Sequence, residues 1–130
     1  MELTHAPAGE AVLIFCCSGA ADVGEIAHQA ARRLDEQGRG MRFCLAGVGG
    51  RVPAHLGKCR AAQAILVIDG CHVSCGQRTL AEAGFTQVLH LGVHEVGLAK
   101  GTSAPTPEHV QRVVTAACSI LDQAPKDRPR

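Results

Sequence analysis

The sequence contains neither tryptophan nor tyrosine, and only 2% of its residues are aromatic. Proteins that bind single-stranded nucleic acids stack the bases on aromatic side chains, so this composition argues against such a surface. The formal net charge is only +1, which gives no electrostatic reason to expect a polyanion or an anionic membrane. We therefore expect neither nucleic acid nor membrane among the partners.

We expect neither a membrane-spanning segment nor a secretory leader. No apolar run is long enough to cross a bilayer, and residues 1–10 lack the basic region and apolar stretch of a signal peptide. We therefore predict a cytoplasmic protein. In that reducing compartment, seven cysteines among 130 residues indicate metal binding or thiol redox chemistry rather than a disulfide framework.

Short apolar runs alternate with helical patterns along the chain. A helix should begin at Asp22, where Glu25 would complete a capping box, and stop at Gly38. Thr106 and Pro107 should open the last helix. Strands are predicted at 11–16, 41–46, 64–68 and 87–91, further helices at 58–63 and 77–83, an irregular glycine-rich segment at 47–57, and a loop at 92–103.

This alternation implies right-handed strand–helix–strand units and a parallel sheet. We predict a single three-layer α/β domain over residues 11–123, with about four mostly parallel strands and flanking helices, of the Rossmann-like or flavodoxin-like kind. Residues 1–10 should form a flexible lead. Residues 124–130, which contain two prolines and mixed charge, should form a disordered tail.

Cysteines lie at the ends of three predicted strands. Cys17 comes directly after the first strand, Cys44 lies late in the second, and Cys71 follows the third, with Cys75 four residues further on. Open parallel sheets bind ligands in the crevice outside the carboxyl ends of their strands. We therefore expect these four thiols to converge at one edge of the sheet.

The predicted convergence of thiols favours a metal ion, and zinc suits four sulfur ligands in a tetrahedron. Cys71 and Cys75 would share one face of a helical turn, and Cys17 and Cys44 would complete the set. Adjacent side chains on a strand point to opposite faces, so Cys16 is expected to pack rather than bind. The spacing is not that of the paired Cys-x-x-Cys knuckles of zinc fingers.

Four sequence blocks carry a family resemblance. They are Cys-Ser-Gly at 17–19, Cys-Leu-Ala-Gly-Val-Gly-Gly at 44–50, Asp-Gly-Cys at 69–71 followed by Cys75, and Gly-Leu-Ala-Lys at 97–100. In this order they resemble the DGC domain family, zinc-binding proteins named for a central Asp-Gly-Cys motif. Each block alone would be weak, but together they are specific.

The resemblance implies four metal-chelating cysteines, which map onto Cys17, Cys44, Cys71 and Cys75. It implies no reaction, because the family's function is itself unassigned. The sequence departs from the family where His72 stands in place of a frequent proline. His72 could therefore join the metal site or replace one thiol.

Other polar residues near the same edge have two interpretations each. Asp69 either caps the turn after its strand or orients the metal ligands as a hydrogen-bond acceptor. His90 and His94 are expected to be solvated, although either could supply a fourth ligand or an acid–base group. Cys118 is expected to be a buried apolar side chain, and Cys59 a spare ligand at most.

The sequence leaves three functions open. The first is a zinc-binding protein with a structural or metal-handling role. The second is a thiol redox or sulfur-transfer enzyme, with Cys71 as nucleophile and Cys75 or Cys17 as resolving thiol. The third, a nucleotide-binding regulator, ranks last because the glycine run at 47–50 lacks the Gly-Lys-Ser/Thr ending of a phosphate loop.

Overall fold

The computed structural model describes residues 11–124. The predicted lead at 1–10 and all but the first residue of the predicted tail therefore lie outside the described residues. The strands are β1 (Val12–Cys16), β2 (Met41–Arg42), β3 (Ala64–Asp69) and β4 (Leu89–Gly92), and the α-helices are α1 (Asp22–Glu36), α2 (Leu45–Gly49), α3 (Pro53–Ala61), α4 (Cys75–Glu82) and α5 (Pro107–Gln123).

Within residues 11–124, the four strands form one parallel sheet in the order β2-β1-β3-β4. This confirms the predicted α/β domain, and the order matches the first four strands of the flavodoxin-type arrangement. The central pair aligns β1 with β3 from Val12 opposite Ala64 to Cys16 opposite Ile68. All six residues of β3 are buried, as expected for a strand that is covered on both faces.

Helices cover both faces of the sheet. Alternate strand residues such as Ile14 and Leu66 pack on one face with α1 and α5. Their neighbours, such as Phe15 and Val67, pack on the other face with residues of α2, α3 and α4. The period-two alternation of a strand therefore supplies one core per face.

The prediction for residues 41–57 is wrong in two respects. The second strand ends at Arg42, although Phe43 still donates one backbone hydrogen bond to Ile14. The glycine-rich stretch then forms two short helices, α2 and α3, instead of an irregular segment. Burial of Val48 and Cys59 in the second core outweighs the weak helix propensity of glycine.

Two glycines, Gly24 and Gly70, allow the start of α1 to approach the turn after β1 and the turn after β3 closely. A Cβ atom on Gly24 would lie 2.8 Å from the backbone nitrogen of Gly19, and one on Gly70 would lie 2.8 Å from that of Gly24. These separations are below any normal carbon contact. The close approach brings the turn after β1 and the turn after β3 together at the carboxyl edge of the sheet.

Gly24→Ala should therefore lower the free energy of unfolding by about 1–3 kcal/mol, because the added methyl group overlaps backbone atoms that cannot move independently. Gly57→Ala is the matched control, since a Cβ there meets no atom within 4 Å, and it should stabilise α3 by roughly 0.5–1 kcal/mol. Urea unfolding followed by circular dichroism measures both variants. Equal effects would contradict the proposed contact.

Candidate functional site

The candidate site lies where the strand order reverses. The chain leaves β1 through α1 towards β2 on one side, and it later reaches β3 and β4 on the other side. The carboxyl ends of β1 and β3 therefore bound the crevice at which open α/β sheets bind ligands.

Cys17 is fixed at this crevice by two backbone contacts. Its N–H donates to the carbonyl oxygen of Ile68 at 3.1 Å, which extends the pairing of β1 with β3 by one residue. Its Sγ accepts a hydrogen bond from the N–H of Gly70 at 3.3 Å. This hydrogen bond holds the sulfur beside the turn that follows β3.

Cys44 occupies a different position from the predicted one. It does not lie in the second strand but forms the N-cap of α2, and its Sγ accepts a hydrogen bond from the N–H of Gly47 at 3.3 Å. The ring of His55 lies where a Cβ on residue 47 would be, so glycine is required at this turn. Cys44 is exposed.

Cys71 and Cys75 do not share a helical turn, so that prediction is wrong. Cys71 lies in the turn before α4, and Cys75 is the first residue of the helix. Between them, Ser74 adopts a left-handed conformation with φ of 58°, which breaks the helical path. Cys71 is half-buried and Cys75 is exposed.

Two cavities that share Cys17 connect these thiols. The smaller has a volume of about 490 Å³ and is bordered by Cys17, Cys71 and Cys75. The larger has a volume of about 950 Å³ and is bordered by Cys17 and Cys44, together with Cys16. The predicted ligands thus lie along one edge of the sheet, on both sides of Cys17.

The positions of these donors stop short of a closed metal centre. Within residues 11–124, no three His, Cys, Asp or Glu side chains are grouped closely enough to hold one metal ion. In kind, the donors fit zinc, because all four cysteines are free thiols and thiolate is a preferred zinc ligand. Binding of a single ion would therefore require the loops that carry these cysteines to move towards one another.

Asp69 is a fully buried carboxylate at the end of β3. Its Oδ1 accepts from the N–H of Gly76 at 2.7 Å, and its Oδ2 accepts from the N–H of Gln77 at 3.0 Å. These two donors belong to the first turn of α4, where helix N–H groups lack intrahelical partners. Asp69 thus caps the helix that begins with Cys75, as the first of the two interpretations predicts, while its role in orienting metal ligands stays a prediction.

His90 is the second partner of Asp69. Its Nε2 lies 3.0 Å from Oδ2 of Asp69, and its side chain is only 19% exposed. The expectation of a solvated His90 is therefore wrong. In the strand pairing, His90 of β4 lies opposite Val67 of β3, two residues before Asp69. The sequence alone does not reveal this register, so it did not predict the contact between His90 and Asp69.

Two other histidines that the sequence suggested do not line the cavities that contain the thiols. His72 is exposed in the turn before α4. His94 is exposed in the 3-10 helix Val93–Val96, and its ring lies against the backbone of Gly92. Neither borders the two cavities.

The remaining cysteines have other surroundings. Cys59 is fully buried in the second core, and Cys118 is half-buried against the first. The Sγ atom of Cys16 lies 3.5 Å from Oγ of Ser18 and 3.9 Å from Nδ1 of His28. Burial raises the pKa of the Cys16 thiol above its ordinary value, so this sulfur favours the neutral form.

The sequence reasoning assigned the wrong role to Asp22. The helix cap is Ala21, without a side-chain hydrogen bond, so the predicted capping box does not form. The Asp22 carboxylate instead accepts from the N–H groups of Gly101 at 3.0 Å and Ser103 at 3.1 Å. The hydrogen bond from Gly101, followed by others from the backbone, lowers the pKa of Asp22 below its ordinary value of 3.8.

Comparison with known protein families gives a match over most of the chain. The family model of the DGC domain matches residues 13–117. The chain belongs to the DGC domain family. The match begins within β1 and ends within α5, so it spans the sheet, both helical layers and all four thiols of the candidate site.

A curated relative extends this comparison. The Anaerobic and virulence modulator AnvM of Pseudomonas aeruginosa strain PAO1 is 36% identical over 100 residues, which cover 77% of this chain and 76% of the relative. No solved structure matches the chain significantly. The helices within residues 11–124 are too short or too polar for any of them to cross a membrane.

Replacement of Asp69 by Ala should lower the free energy of unfolding by at least about 2 kcal/mol, because each of the two buried N–H donors that loses its acceptor costs about 1–3 kcal/mol. The control is Glu82→Ala, at an exposed position of the same helix, which should change stability by less than about 0.5 kcal/mol. Chemical denaturation measures both. A loss no larger than the control's would contradict the capping role of Asp69.

Proposed function

We propose that this DGC-domain protein binds one zinc ion through the thiolates of Cys17, Cys44, Cys71 and Cys75 and serves a metal-handling or structural role. The observation that carries the proposal is the position of the thiols. Three of them border one cavity at the carboxyl ends of β1 and β3, and Cys17 also borders the cavity that contains Cys44.

The hydrogen bonds at sulfur support a metal-binding role. Cys17 and Cys44 each accept a backbone N–H at 3.3 Å. These hydrogen bonds hold the two sulfurs at the edge of the sheet, where both residues border the larger cavity. Thiolate sulfur is a preferred zinc ligand, so the two positions suit a metal ion.

The same edge is poorly suited to a phosphate or another anion. The N-terminus of α4 is occupied by the Asp69 carboxylate, and Asp22 places a second carboxylate at the N-terminus of α1. A bound anion would have to displace these groups from the N–H donors that usually hold it. This argues against an anion at the N-termini of α1 and α4.

Metal handling fits this arrangement better than a purely structural role. Structural zinc sites usually hold the fold together, and many such domains unfold without the ion. Here none of the four proposed ligands is among the fully buried side chains of the two apolar cores, and only Cys17 and Cys71 pack against one of them, the first, as partly buried residues. We therefore propose an ion that is bound by loops on an independently folded domain and is able to exchange.

Thiol redox chemistry is the second candidate function. It is favoured by one observation, that Cys17, Cys71 and Cys75 border the same cavity, while no three ligands in the described part of the chain are grouped as a metal site. Redox chemistry requires only two cysteine sulfurs that can approach each other to form a disulfide. The relative's name describes a modulator, and we propose by analogy that either chemistry serves regulation in this chain.

Zinc content distinguishes the two candidates. The protein purified without chelators should contain about one zinc ion per chain, and Cys71→Ala and Cys44→Ser should lose it, because a site with three thiolates binds more weakly. Cys118→Ser is the control, since Cys118 lies on α5 away from both cavities. Atomic absorption gives the metal content, and thiol titration gives the free cysteines.

A metal-free protein that interconverts between dithiol and disulfide forms would overturn the zinc proposal and support the redox alternative. Equal zinc loss in Cys118→Ser and Cys71→Ala would instead show that the measured zinc does not depend on the four named thiols.

Removal of zinc should leave the domain folded. After treatment with a chelator, we expect an unchanged far-ultraviolet circular dichroism spectrum and a lower melting temperature, because a ligand that binds only the native state stabilises it by mass action. Complete unfolding on chelation would contradict an exchangeable ion and indicate a structural one. Re-addition of zinc, with magnesium as the control cation, should restore the melting temperature.

A further inference from the structure

Lys100 lies at the edge of the thiol cavity and has no assigned role. It borders the smaller cavity together with Cys17, Cys71 and Cys75, and it is the only cationic side chain among the described residues that line this cavity. Lys100 is exposed, and it forms no ion pair with any carboxylate within residues 11–124. Its positive charge therefore lies at the border of the cavity that contains three of the thiols.

The turn that carries Lys100 is held in place from both ends. Leu98, two residues earlier, is buried in the first core. Ser103, three residues later, is 5% exposed, and its Oγ accepts from the N–H of Ala99 at 2.9 Å. The turn therefore has a defined conformation in which only its tip is exposed.

Asp22 ties this tip to the start of α1. Both of its carboxylate oxygens lie 3.0 Å from the N–H of Gly101, the residue next to Lys100, and Oδ2 also accepts from Ser103. Gly101 has a φ of 91°, a conformation that glycine adopts readily. The carboxylate of Asp22 thus fixes the backbone on one side of Lys100.

The net charge of the proposed zinc site explains why a cation at position 100 would favour metal binding. A zinc ion with four thiolate ligands has a net charge of about −2. The carboxylate of Asp69 lies in the lining of the same cavity and adds no compensation. A positive charge near such a centre lowers the free energy of the loaded state, in which the sulfurs are deprotonated.

We propose that Lys100 is the charge-compensating residue of the thiolate site and that Asp22 is the positioning residue that holds the Lys100 turn beside it. This inference rests on the proposed zinc function and deepens it. Lys100 acts on the ion through space and through the thiolates, without binding the metal.

The test is the zinc affinity of charge variants, measured by competition with a chromophoric chelator. Lys100→Gln should bind zinc about 10-fold more weakly, the lower end of the effect of residues that support metal ligands, while Lys100→Arg should restore most of the affinity. Lys58→Gln is the control, because Lys58 is exposed on α3 and borders neither cavity. All four proteins should melt at similar temperatures without metal.

Salt separates an electrostatic role from a structural one. Raising the ionic strength should weaken zinc binding to the wild type more than to Lys100→Gln, because salt screens exposed charges. Asp22→Asn should weaken binding by a smaller factor, and it should also speed amide hydrogen exchange at Gly101 and Ser103. A structural role alone would not produce the difference in salt dependence.

Two results would overturn the inference. If the wild type binds zinc and Lys100→Gln binds it equally well at low salt, Lys100 does not compensate the charge, although the zinc function stands. If the wild type takes up no zinc, both proposals fail together.

Discussion

The parallel pairing of β1 with β3 is the interaction on which the rest of the molecule depends. It aligns five residue pairs along the centre of the sheet, and alternate side chains of the two strands supply both apolar cores. The pairing continues one residue past the strand, where the N–H of Cys17 donates to the carbonyl oxygen of Ile68. The same residue accepts a hydrogen bond from the N–H of Gly70 at its sulfur, so the end of the pairing also brings the first thiol to the turn after β3.

Two carboxylates hold the loops at this edge of the sheet in defined conformations. Asp69 fixes the start of α4, and with it Cys75, while His90 holds the carboxylate from the neighbouring strand. Asp22 fixes the turn that carries Lys100. Both act through backbone N–H groups, which are among the stronger charge-assisted hydrogen bonds. The thiols themselves remain accessible, as ligands of an exchanging ion must be.

The sequence predicted the elements that are set by local pattern. The apolar run of β3 and the Thr106 cap of α5 are found as expected. The errors arose where distant contacts decide the structure. The helix at Cys44 depends on burial of Val48 and on the ring of His55 beside Gly47, and the partners of Asp22 lie about 80 residues away along the chain. The family resemblance predicted four cysteines as metal ligands, but only the fold showed that they border two cavities that share Cys17.

The central claim is that four thiolates surround one zinc ion. X-ray absorption spectroscopy at the zinc edge of the loaded protein tests it most directly, because it reports the ligand atoms and their distances. The account predicts four sulfur ligands at about 2.3 Å in the wild type. A shell dominated by nitrogen or oxygen ligands in the wild type would contradict it.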